Sequence, residues 1–150
     1  MTTIDVAALR DHIGKKLAVS DWRAITQADI NQFADATGDH QWIHVDTARA
    51  AIDSPFKTTI AHGFLTLSLV STLMRSAVQF TNLRMAINYG CNRVRFVSPV
   101  PSGSRIRGRF TVSAVEDVTG GVQVTWQATI EREGGDKPAL VSEWLVRYYQ

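Results

Sequence analysis

Two short clusters hold the residue types that proton chemistry requires. The first is Gly38-Asp39-His40-Gln41-Trp42-Ile43-His44-Val45-Asp46, directly after a stretch with helical spacing. The second is Ile60-Ala61-His62-Gly63-Phe64, directly before the longest apolar-rich stretch of the chain. Aspartate and histidine are general acid and base types. The N–H groups at the start of a helix have no partner inside it and can hold negative charge. A loop carrying Asp39 and His44 near such a helix start therefore has the parts for proton transfer beside a developing oxyanion. Each cluster alone also has a plain structural reading. An aspartate after a glycine commonly makes a turn, and a single histidine can pack against backbone. His62 reads as structural, holding the loop beside Gly63, and His40 reads as exposed.

The elements that must position these residues follow from periodicity. Ile4 to Ile13 reads as a short helix and Leu17 to Arg23 as the first strand. Thr26 opens a helix, with Asp29 where a capping box wants an acid. Ile30, Phe33 and Ala34 fall on one face of it, and Gly38 ends it as a left-handed C-terminal glycine would. Asp39 to Ala61 is irregular and polar, with a helical turn expected at Arg49 to Ile52; such a long irregular segment in a small domain is functional or disordered. Gly63 to about Phe80 is apolar on nearly every side, which predicts a buried helix. Strands follow. Leu83 to Val97 changes phase around Gly90, where a bulge is expected. The stretch around Arg105 to Val112, the alternation of Val122 to Glu131, and Leu140 to Tyr149 complete the set. Turns are expected at Pro99 to Gly103, Thr119 to Gly121 and Gly134 to Pro138.

One buried helix followed by four long strands joined by hairpin-length turns predicts an α+β fold, in which a long central helix is wrapped by a curved antiparallel sheet. One sheet covers one side of that helix. The remaining side and the sheet edges predict a homodimer.

Composition narrows the function classes. The chain has 150 residues and reads as one domain spanning 1–150. A net charge of +2, from 16 Lys+Arg against 14 Asp+Glu, argues against nucleic acid as a partner. A single cysteine, Cys91, excludes an internal disulfide framework and a Cys-rich zinc site. No signal peptide is read at the N-terminus, and the apolar-rich stretch Phe64 to Val78 is too short and too interrupted for a bilayer. A soluble, cytoplasmic protein without a membrane partner is expected.

The stretch Phe33-Ala34-Asp35-Ala36-Thr37-Gly38-Asp39-x-x-x-x-His44-x-Asp46, with Ala61-His62-Gly63-Phe64, resembles the MaoC-type (R)-specific enoyl-CoA hydratases, which have the hot dog fold. Tyr89-Gly90-x-Asn92-x-Val94-Arg95-Phe96-x-x-Pro99-Val100-x-x-Gly103 resembles the same family, in particular its single-domain NodN-like or 3-hydroxyacyl-thioester dehydratase branch. The likeness runs from about Leu17 to Tyr148. The resemblance implies that Asp39 is the catalytic aspartate, His44 the catalytic histidine and Gly63 the residue whose N–H holds the thioester oxygen. It implies less directly that Ser71 is a polar residue near the acyl pocket. One departure stands out: the family loop commonly reads Asp-x-Asn-Pro-x-His, whereas Gln41 and Trp42 occupy the Asn-Pro positions here. The Asp-to-His spacing is kept.

The implied reaction is hydration of a trans-2-enoyl thioester to the (3R)-3-hydroxyacyl product, or the reverse, in fatty acid metabolism. The substrate is an acyl-CoA or an acyl carrier protein thioester, and no cofactor is needed. Asp39 and His44 can hold one water between them; one takes its proton, and the pair returns a proton to C2. A thioesterase of the same fold and a non-catalytic acyl-thioester binding module are the alternatives. A metal reading of Asp39, His40, His44 and Asp46 is weak, because Gly38 has already ended the helix that a pair of histidines four apart would need. Arg105, Arg107 and Arg109 read as a solvated strand face. They are candidates for CoA phosphates alongside Lys57, Arg93 and Arg95. Cys91 reads as packing, and Leu67, Val70 and Met74 as candidates to line an acyl tunnel.

Overall fold

A computed structural model describes residues 1–150. The chain begins with a strand, β1 (Thr2–Asp5), and a 3-10 helix (Val6–His12), where a single short helix was expected. The first-strand segment is split into β2 (Lys16–Val19) and β3 (Arg23–Ala24), both paired antiparallel to a later strand. Helix α1 (Gln27–Thr37) starts and stops where its signals lie. Thr26 and Asp29 form a reciprocal capping box, and Gly38 takes the left-handed conformation at φ 78° that a glycine adopts without strain. The irregular segment carries two short helices, α2 (Trp42–Val45) and α3 (Thr47–Asp53).

The central helix is shorter than its apolar run. It comprises α4 (Gly63–Ser68) and α5 (Val70–Ala77), joined through Leu69, whose N–H reaches the Leu65 carbonyl and whose carbonyl receives the Leu73 N–H. Val78 leaves the helical region, and Val78–Thr81 forms β4, paired in parallel with β1. Phe80 thus lies on a strand, not on the helix as expected. The β-branched and aromatic residues there serve a two-stranded ribbon as well as they serve a helix face. Four long strands follow: β5 (Met85–Phe96), β6 (Arg105–Val118), β7 (Gly121–Arg132) and β8 (Leu140–Tyr149). The main sheet runs β2-β6-β7-β8-β5, with β3 also on β6, and all its pairs are antiparallel. Register slips on β5 between Asn88 and Gly90 and between Cys91 and Arg93. The bulge expected near Gly90 is therefore present.

A core of 28 buried residues includes the layer between α5 and the inner face of β6, β7 and β8, with Val70, Leu73 and Met74 on one side and Phe110, Trp126 and Ile130 on the other, and extends to Val6 and Leu9 of the 3-10 helix and Ile30 of α1. The expectation that the helix is buried on all sides does not hold for one chain. Phe64 is 67% exposed, and Ser68, Arg75 and Ser76 face solvent. Strand β5 has β8 as its one neighbour and is exposed along nearly its whole length, Cys91 included. Cys91 is therefore not a packing residue within one chain, contrary to the expectation from its apolar neighbours. The arginine stripe is a ladder of ion pairs on the outer face: Arg105 with Glu133, and Arg107 and Arg109 with the two oxygens of Glu131.

Deep in the core, the Trp126 indole N–H donates to the Tyr148 hydroxyl at 3.0 Å, and burial pushes the Tyr148 phenol well above its ordinary range. Tyr148→Phe should strip the buried indole of its acceptor. The expected loss is about 1–3 kcal/mol of unfolding free energy, read as a lower urea midpoint at unchanged slope.

Candidate active site

His44 sits in the last turn of α2 and is buried at 7% relative exposure. Its Nδ1 lies 2.7 Å from the Ile60 carbonyl oxygen. A carbonyl accepts only, so Nδ1 carries the proton and the Nε2 lone pair is left free. Burial is the main influence on this imidazole and pulls its pKa below 6.5; the neighbouring His62 ring adds to the effect, while the Ile60 bond and Asp39 oppose it. The neutral base form is favoured at neutral pH.

Four hydrogen bonds hold the segment in place. The Ile60 N–H donates to the Ile43 carbonyl, and Ala61 donates to Val100. Gln27, in the first turn of α1, donates to the His44 carbonyl at 2.8 Å and accepts from the Thr59 hydroxyl at 2.5 Å. No sequence signal singled out Gln27, whose role exists only because α1 and the loop before His62 meet.

Asp39 follows the cap of α1 with its side chain 56% exposed. A carboxylate oxygen of Asp39 and one ring nitrogen each from His44 and His62 all lie within 4.8 Å of one another. One water bridges such a gap with two ordinary hydrogen bonds. His62, 3% exposed, stacks on His44 with ring centroids 3.8 Å apart and planes inclined by 24°. Rings so nearly parallel do not aim their nitrogen lone pairs at one ion about 2.0–2.1 Å from each, so the trio is a poor cage for a metal. His40 is far less constrained: it is exposed, pairs with Asp35 at 2.9 Å, and has its pKa raised by that bond.

Gly63 opens α4. The Gly63 and Phe64 N–H groups make no backbone hydrogen bond, whereas those of Leu65 and Thr66 both turn back to the His62 carbonyl. The approach at this position is close: a Cβ on Gly63 would meet the Phe96 ring at 2.9 Å, so a side chain there would push that ring aside. His44, Gly63, Thr66, Phe96 and the Val97–Val100 segment line a cavity of about 220 Å³. The Asp39, His44 and Gly63 elements named from the sequence are thus brought to one place. Ser71 is not. It lies eight residues further along the helix, about 12 Å by helical rise, and lines two other cavities against β5 and Trp144. The replaced loop positions are accommodated without loss of spacing: Gln41 precedes α2, and the Trp42 ring is covered by the Arg49 guanidinium at 4.3 Å.

A helix laid on a curved antiparallel sheet, with an Asp/His pair at the helix start, defines the hot dog hydratases and dehydratases. Residues 8–134 match the model of the MaoC like domain, and the chain belongs to that family. It is similar to 3-hydroxyacyl-thioester dehydratase Z of Mycobacterium tuberculosis, with 54% identity over 144 residues covering 95% of each chain. It is also similar to Nodulation protein N of Rhizobium leguminosarum bv. viciae, with 46% identity over 147 residues, covering 97% of this chain and 91% of the other. Among solved structures, the (R)-hydratase from A. caviae involved in PHA biosynthesis superposes with a TM-score of 0.71 at 26% identity, covering 87% of this chain and 93% of the other. The chain is an enzyme of this dehydratase and (R)-hydratase class. No helix is long and apolar enough to cross a membrane.

The lowered His44 pKa has a stability consequence. Below pH 6.5 the unfolded chain takes up a proton that folded His44 refuses, so stability falls as pH drops from about 6.5 toward the folded pKa. Imidazole NMR should give a His44 midpoint below 6.5, and His44→Gln should flatten the part of the stability loss between pH 7.5 and 5.5 that this residue causes.

Proposed function

We propose that this protein adds water reversibly across the double bond of a trans-2-enoyl thioester, giving the (3R)-3-hydroxyacyl thioester, with Asp39 and His44 as proton-transfer groups and Gly63 as the oxyanion donor. The observation that carries this reading is the approach of an Asp39 oxygen and a His44 nitrogen to within 4.8 Å, at a cavity that His44 shares with the unpartnered N–H of Gly63.

In the hydration direction, a water held between Asp39 and the free Nε2 of His44 attacks C3. His44 Nε2 takes one of its protons while Asp39 holds the other. The electron pair of the double bond moves toward the thioester carbonyl, whose oxygen gains charge against the Gly63 N–H at the positive end of the helix. The imidazolium then returns its proton to C2. Every proton is accounted for and no cofactor takes part. The (3R) outcome follows the likeness to the (R)-hydratase. The acyl chain, carried on coenzyme A or an acyl carrier protein, runs past Leu67 and Ser71 into the groove between the central helix and β5.

The functional unit is a homodimer. Phe64 on the helix and Met85, Ile87, Tyr89 and Phe96 on β5 are large apolar residues left exposed around a strand with an unpaired edge. A second copy pairing through β5 would satisfy that edge and cover these side chains.

Purified protein given crotonyl-CoA should remove the enoyl absorbance without releasing thiol. Asp39→Asn and His44→Gln should each lower turnover at least ~10²-fold with folding intact. Wild-type rates in both variants would sink the catalytic assignment. Free thiol would mean hydrolysis instead, and binding without turnover would mean a carrier module. Gly63→Ala should also impair turnover, because its methyl displaces the Phe96 ring from the oxyanion corner. Light scattering should report a dimer, and Ile87→Lys on the β5 edge should shift it toward monomer.

A further inference from the structure

The Asp39 carboxylate can share a water with His44 only if the exposed loop that carries it is held still. Its own local bonds are weak: the Asp39 N–H reaches the Thr37 hydroxyl at 3.4 Å, and the Gln41 N–H reaches Asp39 Oδ1 at 3.4 Å. Both sit beyond the usual range for an N–H donor. The short bond at this residue comes from elsewhere in the chain. His62 Nε2 lies 2.9 Å from the Asp39 backbone oxygen and 4.0 Å from its Oδ2.

The His62 ring is fixed on both sides, stacked on His44 at 3.8 Å and leaning on Phe33 at 4.9 Å. Because the Asp39 carbonyl accepts only, Nε2 must carry the proton. Nδ1 is buried and has no partner. A proton on Nδ1 in place of Nε2 would bury a donor with nothing to receive it, so the ring is held in one tautomer.

We propose that His62 is a positioning residue for the reaction: its Nε2–H clamps the carbonyl of Asp39 while its ring face backs His44, so that one rigid imidazole sets the spacing between the two proton-transfer groups. This rests on the assignment of Asp39 and His44 above. The role of His62 is to position: its polar contact goes to the Asp39 backbone and its ring face to His44. It converts an exposed loop aspartate into a group held at a defined distance from a buried base. A displacement of about 1 Å in such a group is enough to lower turnover by about 10²-fold.

Two substitutions separate the clamp from the packing. His62→Phe keeps a flat buried ring but loses the donor. His62→Gln loses the ring but places an amide N–H close to where Nε2–H was. The expected result is a kcat lowered about 10- to 100-fold in His62→Phe with KM within about threefold of wild type and thermal unfolding unchanged. His62→Gln should recover kcat to within about fivefold of wild type. A wild-type kcat in His62→Phe, or a His62→Gln no better than His62→Phe, overturns the proposal. Should His62→Phe not fold, His62→Gln decides alone by the same fivefold margin. Nitrogen NMR of the wild-type protein gives a check that needs no turnover: His62 should be the Nε2–H tautomer, and an Nδ1–H form would also overturn it. Asp39→Asn measured alongside tells the two failures apart. An inactive Asp39→Asn beside a fully active His62→Phe removes the clamp alone, whereas a fully active Asp39→Asn removes the site on which it acts.

Discussion

A buried imidazole acts as a base from one nitrogen only if the other nitrogen's proton has somewhere fixed to go. In this protein that place is the Ile60 carbonyl, and the site is arranged around it. The carbonyl is held because Ile60 and Ala61 are tied by their N–H groups to Ile43 and Val100. Ile60 is also two residues before His62, so the segment that fixes the tautomer of His44 is the one that delivers the second imidazole and the start of the central helix. The His44 tautomer, the His62 contact to Asp39 and the open N–H of Gly63 are thus all located by five consecutive residues, Ile60 to Phe64. Desolvation, which lowers the His44 pKa, comes from the same packing.

The wider fold serves this arrangement by anchoring the two ends of the irregular segment. At one end α1 is closed by Gly38, which sets where Asp39 begins. At the other, the helix formed by α4 and α5 is pinned to the sheet through Val70, Leu73 and Met74. Gln27 ties them together by holding the His44 carbonyl and the Thr59 hydroxyl. The core lies on one side of the central helix; the other side, where Phe64, Ser68, Arg75 and Ser76 are exposed, and the β5 edge with its exposed Met85, Ile87, Tyr89 and Phe96 are left uncovered. A sheet can cover only one face of a helix, and here a groove between the second face and β5 is left open.

The α+β class, the capping box of α1, the left-handed Gly38, the four long strands and the bulge near Gly90 were all legible in the sequence. Each is governed by residues within a few positions of one another: a hydroxyl three residues from an acid, an alternation of apolar side chains, a glycine at a phase change. That Asp39, His44 and Gly63 come together was legible for a similar reason, since their spacing resembles that of a known family; the roles in turnover are those proposed above. The central helix was overextended because Val78 and Phe80 suit a helix face and a strand equally well. The parallel pairing of β1 with β4, which decided between them, joins residues more than seventy positions apart. The exposure of Cys91 was not legible, because alternation along β5 shows which residues share a face but not whether anything covers that face.

By itself, the sequence determined which residue types are present, where local turns and caps fall, and that an aspartate and a histidine stand five positions apart before a glycine-led helix. Only the tertiary structure decided which nitrogen of His44 is free, that His62 reaches back 23 positions to the Asp39 carbonyl, and that Ser71 faces a different cavity. Tautomers, clamps and cavity membership depend on directed contacts between distant segments. A hydrogen bond depends on where a donor points in space, which residue spacing does not encode once the chain has turned back on itself.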